Sequence, residues 1–216
     1  MEIIAALFVV AILIALLTRS SRPTTTDPAG SAKRIERAKS SDRINRSDPV
    51  STAKAGTSGG LGIDEFIRSL SVAKVVHIID GDTVIVGTGW SQTKIRLDSI
   101  DCPEDGQPWG DAAKFGLIKL IGGRTVHLET HGLDVHGRTL ATIYVRHASK
   151  DEWVNVNERM VTLGHAWVMR KFYLHLAKDR QNKLNSLERW ARSKNVGLWR
   201  TQNPIPPWQW RNGGKV

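Results

Sequence analysis

The chain has a single cysteine, Cys102, in 216 residues. That excludes an intramolecular disulfide and any zinc or iron–sulfur centre built from several thiolates. Acidic residues are in short supply, 21 against 31 basic ones, so the chain carries +10 at pH 7. A balance this positive points to an anionic partner, nucleic acid or lipid headgroups, and is silent on fold. The length leaves room for one ordinary domain with appendages and argues against a two-domain enzyme. Long apolar runs are absent except at residues 3–17, and residues 18–60 have almost no large apolar side chain.

The run at 3–17 is apolar all round and only Met1 and Glu2 precede it. Fifteen helical residues rise about 22 Å, and extending the helix over residues 1–20 brings it to roughly the 30 Å of a hydrocarbon core. Residues 1–20 therefore read as an N-terminal transmembrane anchor. A cleaved signal sequence is the alternative, although no Lys or Arg precedes the run and no small-x-small pair directly follows it. Residues 21–60 read as a flexible basic linker. From Arg19 to Lys54 the segment collects nine Lys or Arg against four acids, among Ser, Thr, Gly and Pro, a composition that cannot bury a core. It is either a solvated spacer or a tether that lies on an anionic membrane or gathers nucleic acid.

From residue 61 the composition becomes globular and remains basic, +6 over residues 61–216. Period-two patterning predicts strands near 72–79, 83–87, 93–98, 125–129 and 139–145, and helical patterning predicts helices near 111–121, 154–163 and 174–193. Five strands with an inserted helix suggest a small closed barrel with helices packed on it, an α+β arrangement. Residues 201–216 form a Pro/Trp tail that either folds back on the domain or binds a partner. Trp167, Trp190 and Trp199 are assigned to packing.

Three segments carry chemistry. Asp80-Gly81-Asp82-Thr83 falls between two β-rich runs, where Asp-Gly predicts a hairpin turn with positive φ. Residues 95–104 then place Arg96, Asp98, Asp101 and Glu104 around the end of a strand, with Arg96 and Asp98 on one face and the last two acids in a Pro-containing loop. With Asp82 these acids offer hard oxygen ligands, which suit Ca²⁺ or Mg²⁺ and argue against zinc. The third segment, Asp134-Val135-His136-Gly137-Arg138, sets an arginine at a strand edge. Phosphodiester hydrolysis needs a group that activates water and cations that hold the charge of the phosphorane, and two arginines, a spare carboxylate and a metal meet that need.

The order Ile-Asp-Gly-Asp-Thr (79–83), Ile-Arg-Leu (95–97), Ile-Asp-Cys-Pro-Glu (100–104) and His-Gly-Arg (136–138) resembles the thermonuclease family, typified by staphylococcal nuclease. Gly106-Gln107-Pro108-Trp109-Gly110, Leu163-Gly164-His165-Ala166-Trp167 and Asn195-Val196-Gly197-Leu198-Trp199 extend the likeness across about residues 72–200. The resemblance implies a five-stranded OB-fold barrel with three helices over residues 61–200, and a Ca²⁺-dependent endonuclease, Mg²⁺ being the lesser alternative. It implies action on DNA and RNA, with 3′-phosphate ends. It makes Arg96, Glu104 and Arg138 the catalytic residues, and Asp82, Asp101 and the backbone carbonyl of Cys102 the metal ligands. Asp80 and Thr83 orient those ligands.

The chain departs from the family's type member in two places. Val135 and His136 stand where the type member has a Lys and a Tyr before the Gly-Arg pair, so nucleotide-end binding differs and His136 becomes a candidate phosphate ligand. After Trp167, where tyrosines are common, stacking falls to Phe172 or Tyr173 and charge to Arg170 and Lys171. A noncatalytic nucleic-acid-binding barrel tethered to the membrane is the competing function, and an envelope scaffold a third. Basic residues after the apolar run favour a cytoplasmic domain. Scarce intracellular Ca²⁺ and the secreted character of the family favour an extracytoplasmic one, the reading adopted, with secretion after signal cleavage as the alternative.

Overall fold

A computed structural model describes residues 62–213. The expected anchor over residues 1–20 and nearly all of the segment before the barrel lie outside the described residues. Among the described residues no helix is long and apolar enough to cross a membrane.

A short helix, α1 (Ile63–Ser69), leads into β1 (Ser71–Ile78), β2 (Thr83–Thr88), β3 (Ser91–Leu97) and β4 (Ile100–Asp101). Helix α2 (Gly110–Ile121) separates these from β5 (Thr125–Leu133) and β6 (Thr139–Arg146). Strand alternation produces the barrel: Ala73, Val75, Ile78, Val84, Val86, Ile95 and Leu97 turn inward while their neighbours Val72, Lys74 and Val76 face solvent. β1 pairs antiparallel with β2 and β5, β2 with β3, and β5 with β6. The ring closes where β3 meets β6 in parallel, Ile95, Arg96 and Leu97 standing opposite Thr139, Leu140 and Ala141. This is the closed five-stranded barrel of the α+β class, and α2 covers it by burying Ala113, Leu117 and Ile121 at helical spacing.

The expected helix at 154–163 starts later than its pattern suggests. Trp153–Asn155 forms β7 on the edge of β6, and α3 (Val156–Thr162) begins only where the Asn155 side chain accepts the amide of Glu158 at 3.1 Å. The long helix α4 (Lys178–Ser193) likewise starts four residues beyond the expected 174, because Leu176 is buried and its carbonyl accepts Gln181 Nε2 at 2.7 Å. A two-stranded clip pairs β4 with β8 (Trp167–Val168). A 3₁₀ turn (Gly197–Arg200) and a last helix α5 (Pro207–Trp210) follow. The Pro/Trp tail folds back on the domain: Trp208 joins a second apolar cluster of Trp167, Ala191, Leu198 and Trp199.

One buried side chain fixes the turn that carries the candidate site. Asn157 accepts the amide of Ile143 at 3.0 Å and donates to the carbonyls of Asp98 and Ala141 at 3.0 and 3.1 Å, joining α3, β6 and the β3–β4 turn. Asn157→Ala leaves the Ile143 amide and the Asp98 carbonyl unpartnered in the interior. It is expected to destabilise the domain by about 3 kcal/mol, measured by urea unfolding. An unchanged midpoint would show that this polar bridge does not hold the turn.

Candidate active site

The hairpin between β1 and β2 is built by its first acid. The amide of Asp82 donates to Asp80 Oδ1 at 2.9 Å, and the amide of Ile79 donates to the carbonyl of Thr83 at 2.9 Å. Gly81 does not adopt the expected positive φ. It is glycine for room, since a Cβ there would lie 2.7 Å from Cys102 Cβ and 2.9 Å from Ala113 Cβ. The hairpin is thereby pressed against the segment after β4, and Asp82, 4% exposed, reaches its partners: Thr83 Oγ1 donates to its Oδ1 at 3.0 Å and the amide of Cys102 to its Oδ2 at 2.9 Å. Burial and the adjacent charge of Asp82 push the Asp80 carboxyl up to about 6.

Arg96 projects from β3 between two acids. One guanidinium nitrogen donates to Asp82, the other to Asp101 at 2.6 Å and to the carbonyl of Ile100 at 3.3 Å. Burial opposes the charge on Arg96, but the facing carboxylates outweigh it and hold its pKa above the ordinary arginine value. Asp101 is wholly buried behind this contact. Glu104 follows in the loop, its amide donating to Gln107 Oε1 at 2.9 Å. At Gly110, where α2 starts, a Cβ would lie 2.1 Å from the Glu104 carbonyl oxygen, so only glycine lets the helix approach this loop.

Arg138 stands across the cleft, oriented by a residue outside the expected set. Asp134 accepts the Arg138 amide at 2.9 Å and its Nε at 2.6 Å, in a turn that Gly137 completes with φ +74°. Asp80, Asp82, Arg96, Cys102, Glu104, His136, Arg138 and Phe172 all line one open cleft of about 970 Å³. Thr83 and Asp101 support it from behind through the bonds already described. The loop after β8 divides the remaining candidates. Phe172 is exposed along the cleft, Lys171 sits over its ring at 5.6 Å, and Arg170 pairs with Glu188 of α4 instead of facing the cleft. Tyr173 belongs to the core, where its hydroxyl accepts Asn185 Nδ2 at 3.0 Å.

The family model for staphylococcal nuclease homologues matches residues 94–201, which include Arg96, Asp101, Glu104 and Arg138. The chain belongs to the staphylococcal nuclease family. A micrococcal nuclease of Shigella flexneri is 33% identical over 145 residues, covering 66% of this chain and 81% of that protein. Protein ParB of Escherichia coli is 38% identical over 141 residues, with 64% and 77% covered. An uncharacterized endonuclease of Haemophilus influenzae is 37% identical over 150 residues, with 69% and 78% covered. The chain is thus a nuclease, an enzyme that hydrolyses phosphodiester bonds.

Besides Asp134, sequence reasoning missed a residue of this nuclease site that comes from beyond the family match. Arg211, one residue past α5, donates to Asp101 Oδ2 at 2.8 Å and also bonds Glu104. Gln107 ties the same tail down by donating Nε2 to the carbonyl of Ile205 at 2.7 Å. The run Pro206-Pro207-Trp208-Gln209-Trp210-Arg211 offers a signal only in hindsight, since one arginine in a tail is ordinary. Asp82, Asp101 and Glu104 present the hard oxygens a Ca²⁺ or Mg²⁺ ion requires, and Arg211 competes for two of these three carboxylates. Arg211→Gln is therefore expected to raise the affinity of the full chain for Ca²⁺ by roughly tenfold or more, the worth of a charge-assisted hydrogen bond, in calorimetric titration. Equal or weaker affinity would show that Arg211 supports the acids without competing for them.

Proposed function

We propose that the chain is a Ca²⁺-dependent endonuclease acting on DNA and RNA with little sequence preference and leaving 3′-phosphate ends. The observation that carries this reading is the convergence of Arg96, Glu104 and Arg138 on one cleft beside Asp82 and Asp101. Family membership supports the metal and the product.

In this reading Asp82, Asp101 and the carbonyl of Cys102 hold Ca²⁺, which when bound polarises the phosphate and the attacking water. Thr83 and the Asp80 turn orient the Asp82 carboxylate. Glu104 accepts the proton of the attacking water or positions that water. Arg96 and Arg138 hold the charge that builds on the phosphoryl oxygens, a role suited to a planar cation that keeps its proton. Asp134 sets the direction of Arg138. The exposed ring of Phe172 gives a base a stacking face, and Leu133 and Val135 extend that apolar rim. His136 and Lys171 lie close enough to this rim to meet the backbone of a bound strand, while Arg170 and Tyr173 serve the loop's own packing. The absence of the type member's Lys and Tyr beside Arg138 makes the hold on a terminal phosphate looser.

The catalytic domain in this reading runs past residue 200 to include the tail, because Arg211 bonds two of the site's acids. Residues 1–20 anchor the enzyme with the domain outside the cytoplasm, or direct its secretion if cleaved, and residues 21–60 form the tether. Protection of the domain from added protease on intact cells would sink the extracytoplasmic assignment.

Cleavage of single-stranded DNA, duplex DNA and RNA by the full chain is expected with Ca²⁺ and expected to stop with chelator. Glu104→Gln and Arg138→Ala are each expected to lower the rate by about 10² to 10⁴-fold. Substrate left intact by the wild-type chain under every condition, with binding retained, would reduce the barrel to a binding module.

A further inference from the structure

Beside the cleft, three side chains from distant parts of the chain converge on a point that the nuclease reading does not use. Asp98 comes from the β3–β4 turn, His131 from β5 and His175 from the loop between β8 and α4, and one donor atom of each lies within 4.8 Å of the others. Asp98 is 2% exposed, and its Oδ2 accepts Ser99 Oγ at 2.6 Å and faces His175 Nε2 at 2.9 Å. The rings of His131 and His175 stand 4.9 Å apart. Thr142 Oγ1 lies 3.0 Å from His131 Nε2 and accepts Arg180 Nη2 at 3.0 Å, and Arg180 is itself paired with Glu129 at 2.7 Å. The trio therefore already has outer partners of the kind that orient metal ligands: a hydroxyl on the carboxylate and a hydroxyl beside an imidazole.

The donor set differs in kind from that of the cleft. Asp82, Asp101 and Glu104 offer oxygen alone, whereas two imidazoles and one carboxylate suit a borderline ion such as zinc. Three protein ligands with His175 on the exposed side leave the fourth tetrahedral position to water. Tetrahedral bonds of about 2.1 Å put donors roughly 3.4 Å apart, so His175 and Asp98, at 2.9 Å, have to part slightly and the longer distances, up to 4.8 Å, have to shorten.

We propose that Asp98, His131 and His175 form a second metal site, for a zinc-class divalent cation, and that this ion clamps residues 169–177 to the barrel. That loop carries Phe172 along the cleft. Its start is fixed by the amide of Met169, which donates to the carbonyl of Ser99 at 2.9 Å, and its end by buried Leu176 and by His175, whose Nε2 lies 2.9 Å from Asp98 Oδ2. An ion shared with His131 ties the end of the loop to β5 as well. The site uses none of the proposed Ca²⁺ ligands and stands or falls independently of the nuclease mechanism.

The test is titration of the untagged full chain with Co²⁺ as a visible probe and with Zn²⁺ by calorimetry, in saturating Ca²⁺ to mask the cleft. One Co²⁺ per chain with the intense absorption of tetrahedral coordination is expected, displaced by Zn²⁺. His175→Ala, at an exposed position that does not threaten folding, and His131→Ala are each expected to weaken binding by more than roughly tenfold, since loss of even an outer partner costs that much. His77→Ala, a change of an exposed histidine on β1, is expected to leave binding unchanged. Amide exchange over residues 169–177 is expected to slow with Zn²⁺ in the wild type and not in His175→Ala. Absence of Co²⁺ binding, or wild-type affinity in both cluster variants, would overturn the site, and exchange indifferent to Zn²⁺ would overturn the clamp.

Discussion

The guanidinium of Arg96 is the contact on which the geometry of the cleft depends. It is the shared partner of Asp82, in the β1–β2 hairpin, and Asp101, in the short strand β4, two carboxylates that are 4% and 0% exposed. Two buried like charges repel, and an unpaired buried charge costs about 3–5 kcal/mol when its partner is removed. Arg96 turns that repulsion into a fork with one acid on each tine. The barrel contributes by its closure: Arg96 stands in the parallel register of β3 with β6, so the residue that organises the acids also lies in the seam of the ring. Hairpin, seam and loop thus meet at one side chain, which bonds the acids of the first and the last from its place in the second.

The tail reaches the same acids by a longer route. Trp208 packs edge-on against Trp167 with ring centres 6.4 Å apart, and Trp167 against Trp199 at 5.2 Å, with the Arg192 guanidinium 3.8 Å from the Trp199 ring. Trp167 also pairs through its backbone with Asp101 across the β4–β8 clip. The indole stack therefore does two jobs: it docks α5, and it registers that helix against the residue Arg211 must find. An arginine one residue beyond a four-residue helix would otherwise have little reason to be ordered. Trp190, Trp199 and Trp208, three of the chain's eight tryptophans, serve this cluster near the C-terminus.

The barrel was legible in the sequence because strand alternation is a local property. Residues 72–79, 83–87, 93–98, 125–129 and 139–145 each fall within a residue or two of a strand, apart from the far end of β5, which runs on past a bulge. The convergence of Arg96, Glu104 and Arg138 was legible from motif order. What escaped depended on partners far along the chain. Gly81 serves Cys102 and Ala113, so hairpin composition suggests the wrong reason for it. β7 exists because β3 pairs with β6 only at residues 139–141 and leaves its edge at 144–146 to be filled, which no helical pattern at 154–163 can reveal. Tyr173 and Phe172 are neighbours in sequence, yet one is core and the other rim, since the loop has no period from which to read a face. Arg211 was invisible because its partners lie 107 and 110 residues away.

The charge of the molecule and the charge of its cleft have opposite senses. Over the whole chain basic residues prevail by ten, a field that gathers polyanions from a distance and weakens with salt. Within the cleft and directly behind it, Asp80, Asp82, Asp98, Asp101, Glu104 and Asp134 outnumber Lys94, Arg96, Arg138 and Arg211. A phosphodiester drawn to the protein therefore meets a locally acidic centre that does not favour it. The Asp80 carboxyl, pushed up to about 6 by burial and then by the adjacent charge of Asp82, registers part of the same crowding. Under the proposed Ca²⁺ dependence, two positive charges added among these acids bring the local balance close to neutral and compete with Arg211 for Asp101 and Glu104. Under the proposed Ca²⁺ dependence, long-range attraction and local fit are separate steps, and only the second waits for the cation.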